Sequence, residues 1–133
     1  LDRNVKILLD CEAVKGLSIQ VDSTRYVRVF QNLVNNANDA IESKGGSQIV
    51  VRAEPMGNLI QFSVTDDGPG IPANIRETLF EPFVTSGKSH GTGLGLAIVQ
   101  QLVEAHGGTI TCEDVDPHGA RFVFTIPWVK DCN

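Results

Sequence analysis

Positive charge is in short supply in this chain: 11 Lys and Arg stand against 16 Asp and Glu, a net charge of -5, and the basic residues are scattered. Binding a nucleic-acid backbone needs a concentrated Lys/Arg face, so that class of partner is excluded. Long hydrophobic runs are missing as well. No stretch reaches the roughly 18 apolar residues of a membrane span, and no basic n-region with an apolar h-region opens the chain. A cytoplasmic domain without membrane contact is the expectation. The three cysteines, Cys11, Cys112 and Cys132, are odd in number and far apart, with no CxxC pair and no Cys/His cluster. That pattern supports neither a disulfide framework nor a zinc site and leaves them as small buried or surface thiols. Trp and Tyr occur once each, yet 41% hydrophobic and 20% charged residues are ordinary for a folded globule. A chain of 133 residues fits one domain. Leu1 is not an initiator methionine, so the chain is expected to be a piece of something longer.

Periodicity divides the chain into strands and helices. "VKILLDCEAVKGLSIQV" carries β-branched residues on both sides of Gly16 and predicts two short strands around a turn. Asp22 or Ser23 offers an N-cap, after which Val27, Phe30, Val34, Ala37 and Ile41 recur at helical steps for about five turns. "SKGG" stops that helix. Gln48–Ala53 and Leu59–Thr65 read as a hairpin with its turn near Pro55–Asn58. Asp66-Asp67-Gly68-Pro69-Gly70 ends the second strand. A long connection follows, with room for a short helix around Asn74–Phe80. Leu94, Ala97, Ile98, Leu102 and Ala105 form the stripe of a second long helix, closed by His106-Gly107-Gly108. Strands at Thr109–Glu113 and Arg121–Ile126 flank "DPHG". The expected fold is α+β: a two-layer α/β sandwich whose mixed, mostly antiparallel sheet has about five strands, with about three helices.

Two phosphate-binding signatures overlap in "SGKSHGTGLGLAIV". The first, Gly87-Lys88-Ser89, fails as a P-loop: Pro82 stands where the leading glycine belongs, no strand leads in, and Gly91 and Gly93 interrupt any helix after Ser89. Lys88 remains a flexible cation within reach of a phosphate. The second, Gly91-Thr92-Gly93-Leu94-Gly95-Leu96, precedes an amphipathic helix, so its amides and the helix dipole can face an anion. It is not the dinucleotide fingerprint, whose third glycine would fall on Leu96. On its own the stretch is equally a loop that needs tight turns.

"DDGPGIP" is compatible with a plain turn after a strand. Its functional reading puts Asp66 at a buried strand end, accepting from an exocyclic amine, while Gly68 and Gly70 leave room for a flat ring. A carboxylate there favours adenine over guanine, whose ring carbonyl would oppose it. On the first helix, Asn32, Asn36 and Asp39 fall within about 60° of one another, roughly opposite the apolar stripe. A solvated face is the plain explanation, but the asparagines of "NLVNNAN" are poor helix formers, and hard amide oxygens suit Mg²⁺ bound jointly with substrate phosphates. His90, His106 and His118 lie in loops or near a helix end and read as structural or solvated.

These segments in this order resemble the ATP-binding catalytic domain of two-component sensor histidine kinases, of the nitrogen-regulation-like type, within the GHKL superfamily that includes gyrase and the heat-shock chaperone ATPase. "QNLVNNANDAI" is similar to the N box, "DDGPGIP" to the G1 box, "LFEPF" at 79–83 to the F box and "GTGLGLAIV" to the G2 box, and the similarity runs from about Leu17 to Pro127. The resemblance implies ATP and Mg²⁺ as cofactors, with Asn36 coordinating the metal and Asn32 assisting it or orienting the attacking group. Asp66 would hold the adenine amine beside Gly68, Gly70 and Ile71. Gly91, Thr92, Gly93, Leu94, Gly95 and Leu96 would bring lid amides to the phosphates, with Lys88 leaning toward them, and Phe80 and Phe83 would pack the lid on the body. Asp39 stands where many relatives place a basic residue. Asn32 occupies the position of the ATPases' glutamate base and cannot accept a proton, which implies transfer to an outside nucleophile rather than hydrolysis.

The implied function is a protein-histidine kinase domain presenting the γ-phosphate to a histidine on a separate dimerisation domain, with a response regulator downstream. No helical phospho-acceptor histidine is present in the 133 residues. Residues 1–16 are expected to be the exit from a dimerisation segment, and the isolated domain is expected to be a monomer. An ATP-sensing interaction module and an anti-sigma-type serine kinase are the alternatives.

Overall fold

The computed structural model describes residues 6–14, 23–44, 46–81 and 95–127. Strand β1 (Lys6–Asp10) and a 3-10 turn (Glu12–Val14) precede helix α1 (Ser23–Lys44). Strands β2 (Gln48–Met56) and β3 (Leu59–Asp66) form a hairpin, followed by the short helix α2 (Ala73–Arg76). Helix α3 (Gly95–Ala105) and strands β4 (Ile110–Asp114) and β5 (Ala120–Pro127) complete the described elements. The five strands lie in the order β1-β2-β3-β5-β4, and β1 alone pairs in parallel, with β2. This is the expected mixed, mostly antiparallel α+β sandwich. The second strand expected beyond Gly16 falls outside the described residues.

The sheet is covered on one face, and strand alternation chooses which residues that face receives. Ala120, Phe122, Phe124 and Ile126 of β5 are buried in alternation. They pair with Asp66, Val64, Phe62 and Ile60 of β3, so one row of the central strand is apolar until its last member, a carboxylate. Phe62 stacks on Phe124 at 5.2 Å between ring centres, and Phe30 of α1 meets both rings edge-on at 5.5 and 5.3 Å. The β2–β3 turn is shorter than Pro55–Asn58. Met56 pairs with Leu59, and Gly57 takes the positive φ of 64° that a two-residue turn needs. Pro55 stays in the strand because β1 pairs no further than Arg52, so its missing N–H is not needed on that side.

Helix α1 has neither glycine nor proline, so its length follows from the packing of its apolar side. The fully buried line is Tyr26, Val29, Leu33, Ala37 and Ile41, whereas Val27 is 55% exposed. Phe30 and Val34 pack at the margin of the core. The expected stripe was therefore displaced by one residue at its start. Two adjoining apolar lines run along this helix, and contact with both α3 and the sheet selects their shared middle. The same displacement occurs on α3: Val99 and Val103 are the buried residues, Leu96 and Leu102 flank them, and Ala105 is exposed. Leu94 lies outside the described residues. Helix α3 ends in a Schellman arrangement, Gly108 N–H donating to Val103 O at 3.0 Å and Gly107 N–H to Glu104 O at 3.0 Å, with Gly107 at φ 82°.

The displaced line can be tested. Leu33→Ala should cost about 2–5 kcal/mol of stability, and Val27→Ala should stay within about 0.5 kcal/mol of the parent. Urea unfolding midpoints of the two variants decide the matter; equal losses would restore the stripe through Val27.

Candidate functional site

Moving the core line by one residue also moves the asparagines relative to it. Asn32 and Asn36 are not opposite the core but beside it, and both are half-buried, as is Asp39. Asn32, Asn36 and Ala40 follow one another at steps of four, so they form a single row along α1, about 12 Å long from the rise per residue. Each end of the row meets a different predicted motif. At one end a Cβ placed on Gly95, the first residue of α3 and last glycine of the ladder, would lie 3.9 Å from Asn32 Cγ and Oδ1. At the other, a Cβ on Gly68 would lie 3.5 Å from Ala40 Cβ. Asn36 thus lies between the start of α3 and the Asp-Gly-Pro-Gly turn.

The turn is built on the buried end of β3. Asp66 is 4% exposed, and its Oδ1 accepts from Gly68 N–H at 2.9 Å, which folds the chain back over the carboxylate. Gly70 needs its positive φ of 87°, and a side chain there would meet Gly119 O at 3.2 Å. Ile71 packs against the core. Asp67 does different work. Its Oδ1 accepts from Ser47 N–H at 2.8 Å and Gln48 N–H at 2.9 Å, tying the start of β2 to the turn. Partial burial alone would raise the Asp67 pKa, but these backbone donors and the Ser47 hydroxyl outweigh it and hold the carboxyl below its ordinary value.

After the turn, Arg76 of α2 donates to Cys112 O at 3.4 Å and pairs with Asp114, fixing α2 against β4. Leu79 is buried, and Phe80 packs against the core, meeting Phe122 edge-on at 6.2 Å. Burial pushes the Cys112 thiol up to about 11, in keeping with an inert structural cysteine. Phe83, Lys88, His90, Gly91, Thr92, Gly93, Leu94 and Cys132 lie outside the described residues.

Two contributors come from the β4–β5 connection: His118, read from the sequence as structural or solvated, and Gly119, which was not singled out. His118 Nδ1 lies 2.9 Å from Gly68 O and donates to it, and a Cβ on Gly119 would fall 2.2 Å from Asp66 O. "DPHG" read only as a turn, because nothing local says that β5 pairs with β3 and delivers this turn to the first. His106 is structural: its Nδ1 donates to Leu102 O at 3.0 Å, and its ring meets Tyr26 edge-on at 4.9 Å.

Asn32 tests whether the row fits a hydrated cation with phosphates. Its Nδ2 is buried with no hydrogen-bond partner in the described structure, an arrangement that a native site normally completes with a ligand. As it stands the amide offers a donor to an anionic oxygen; turned over, it offers an oxygen to a cation. The donor set therefore fits both parts of a metal-bound polyphosphate.

Comparison with known proteins identifies the family. The family described as histidine kinase-, DNA gyrase B- and HSP90-like ATPase matches residues 21–130. The sensor histidine kinase ZraS of Escherichia coli O157:H7 is 45% identical over 109 residues, which cover 82% of this chain and 23% of that protein. Among solved structures, the mycobacterial sensor histidine kinase MprB superposes with a TM-score of 0.81 at 30% identity, covering 94% of this chain and 83% of that one. Histidine kinase ThkA, in complex with the response regulator protein TrrA, gives a TM-score of 0.75 at 33% identity over 98% of this chain and 36% of its own. The chain belongs to the histidine kinase-, gyrase B- and HSP90-like ATPase family and has the fold of a histidine kinase catalytic domain. It spans about a quarter of the length of the curated ZraS relative. Among the described residues no helix is long and apolar enough to cross a membrane.

The depressed Asp67 carboxyl has a pH consequence. A folded-state pKa below the ordinary 3.8 stabilises the protein above that value, and the contribution disappears as pH falls through the folded pKa. Asp67→Asn should be less stable than the parent at pH 7, and thermal melts should show the gap closing below about pH 4. A gap that stayed constant down to pH 2 would remove Asp67 from this role.

Proposed function

We propose that this chain is the ATP-binding catalytic domain of a two-component sensor histidine kinase, presenting the γ-phosphate of Mg-ATP to a histidine on a separate dimerisation domain. The observation that carries the reading is the row on α1, which spans from the adenine-type turn at Gly68 to the start of α3 at Gly95. A nucleoside triphosphate laid along it has its base at Asp66 and its phosphates beside Asn32 and Asn36.

In this reading Asp66 accepts the exocyclic amine of adenine, while Gly68, Gly70 and Ile71 leave a flat slot for the ring. Asn36, with Asn32, holds Mg²⁺ through amide oxygens; when bound, the ion neutralises phosphate charge. Gly95 and Leu96 begin a helix whose positive dipole end faces the phosphates, and Gly91, Thr92, Gly93, Leu94 and Lys88 close over them from the lid. Asp39 brings no positive charge, so neutralisation falls to the metal, Lys88 and the lid amides. Asn32 cannot take a proton from water, so the site holds ATP for an outside nucleophile.

The acceptor is external in this reading. Of the three histidines, His106 and His118 are engaged in structural hydrogen bonds. The histidine-bearing dimerisation domain belongs to the parent protein, and the phosphohistidine passes its phosphoryl group to a response regulator, the partner class seen with ThkA. The parent carries the domain in the cytoplasm, where ATP is found, and the isolated domain is monomeric.

The test combines the chain with a dimerisation domain in trans and labelled ATP. Acid-labile phosphate on the acceptor is expected; nucleotide binding without transfer, even in the full-length protein, would favour an ATP-sensing module instead. Asn36→Ala should abolish transfer and leave the unfolding midpoint unchanged or slightly raised, since Ala is the better helix former by a few tenths of a kcal/mol. A large loss of stability would mean that Asn36 serves the core. Asp66→Asn should weaken ATP binding by about 1–3 kcal/mol, seen by calorimetry. Equal affinity of the parent for GTP would defeat the Asp66 assignment.

A further inference from the structure

We infer that His118 is a positioning residue for adenine recognition: it holds the Gly68 carbonyl and so fixes the turn in which the Asp66 carboxylate is presented to the base in one orientation. The inference rests on the reading of Asp66 as the adenine acceptor and goes beyond it, because His118 comes from a different part of the chain.

Gly68 is bonded on both sides. Its N–H donates to Asp66 Oδ1 at 2.9 Å, and its carbonyl accepts from His118 Nδ1 at 2.9 Å. The first bond fixes the carboxylate relative to the turn, and the second fixes the turn relative to the β4–β5 connection. Without the second, the Gly68–Pro69 peptide can turn about the bonds of the glycine at little cost, because glycine accepts nearly any backbone conformation. With that carbonyl loose, the turn can shift against the β4–β5 connection, and the Gly68 N–H, which lies on the preceding peptide, is no longer held in one place against the buried Asp66 carboxylate.

The approach that lets His118 reach Gly68 is set by its neighbour. Gly119, at φ 131°, lies so near Asp66 that a Cβ would fall 2.2 Å from its carbonyl oxygen. The ladder pairs Asp66 with Ala120. One residue further back, Gly119 brings the connection against the turn, and one more places the imidazole over Gly68. The donor is the imidazole N–H, and its ring is exposed, so the side chain contributes little to the core.

The experiment measures ATP and inosine triphosphate affinity of the 133-residue chain by calorimetry, in the parent, His118→Ala, His118→Asn and Asp66→Asn. Inosine carries a carbonyl where adenine carries the amine. His118→Ala should weaken ATP binding about fivefold or more and bring the ATP-to-inosine preference toward one. That ratio is independent of the folded fraction, so reduced stability alone cannot move it. His118→Asn carries its Nδ2–H near the position of the imidazole Nδ1–H and should restore most of both quantities. An Ala variant with parental affinity and preference, or an Asn variant no better than Ala, overturns the role of His118. If Asp66→Asn weakens ATP while His118→Ala does not, only this inference is lost; if Asp66→Asn also has no effect, the adenine reading itself fails.

Discussion

Asp66 ends a row whose other members are Ile60, Phe62 and Val64, so β-strand alternation sends a carboxylate toward the covered face of the sheet. An unpaired charge there would cost several kcal/mol. The surrounding backbone is arranged around that cost. Gly68 turns back to supply an N–H, Gly119 comes close enough to exclude any side chain, and the small Ala120 lies opposite in the ladder. What a core would reject, a ligand-binding turn can use: a fixed acceptor in a partly apolar slot discriminates strongly between an amine and a carbonyl.

Helix α1 divides stability and chemistry between neighbouring lines of one surface. Val29, Leu33 and Ala37 are buried against α3 and the sheet, while Asn32 and Asn36 stand beside them at the edge of the packed region. This position at the margin gives an amide enough burial to be oriented and enough access to meet a ligand. It accounts for asparagines in the middle of a helix, where propensity alone favours other residues. The amide nitrogen of Asn32 is buried there without a hydrogen-bond partner among the described residues.

The rest of the turn region is fixed by contacts to the strands around it. Asp67 ties the turn to β2, Arg76 ties α2 to β4, and Leu79 and Phe80 pack against the core. In the proposed reading this frame delivers a phosphoryl group to an acceptor on another domain, which fits a chain that spans about a quarter of its ZraS relative.

Much of this was legible in the amino-acid order. The α+β class follows from short windows, because turn chemistry and hydrophobic periodicity act over a few residues, while the N, G1, F and G2 boxes were legible as a resemblance to a known family. Asp66 at a buried strand end was legible too, whereas the tie from Asp67 to β2 came only with the structure. The tertiary structure decided which of two adjoining lines on α1 and α3 is buried, and so moved the asparagines from the far side of the helix to the edge of the core. It also decided that His118 and Gly119, some fifty residues away, form the back of the turn. Those facts depend on β5 pairing with β3 and on α1 meeting α3. A pairing between distant segments is settled by how whole faces pack together, and no local period carries that information.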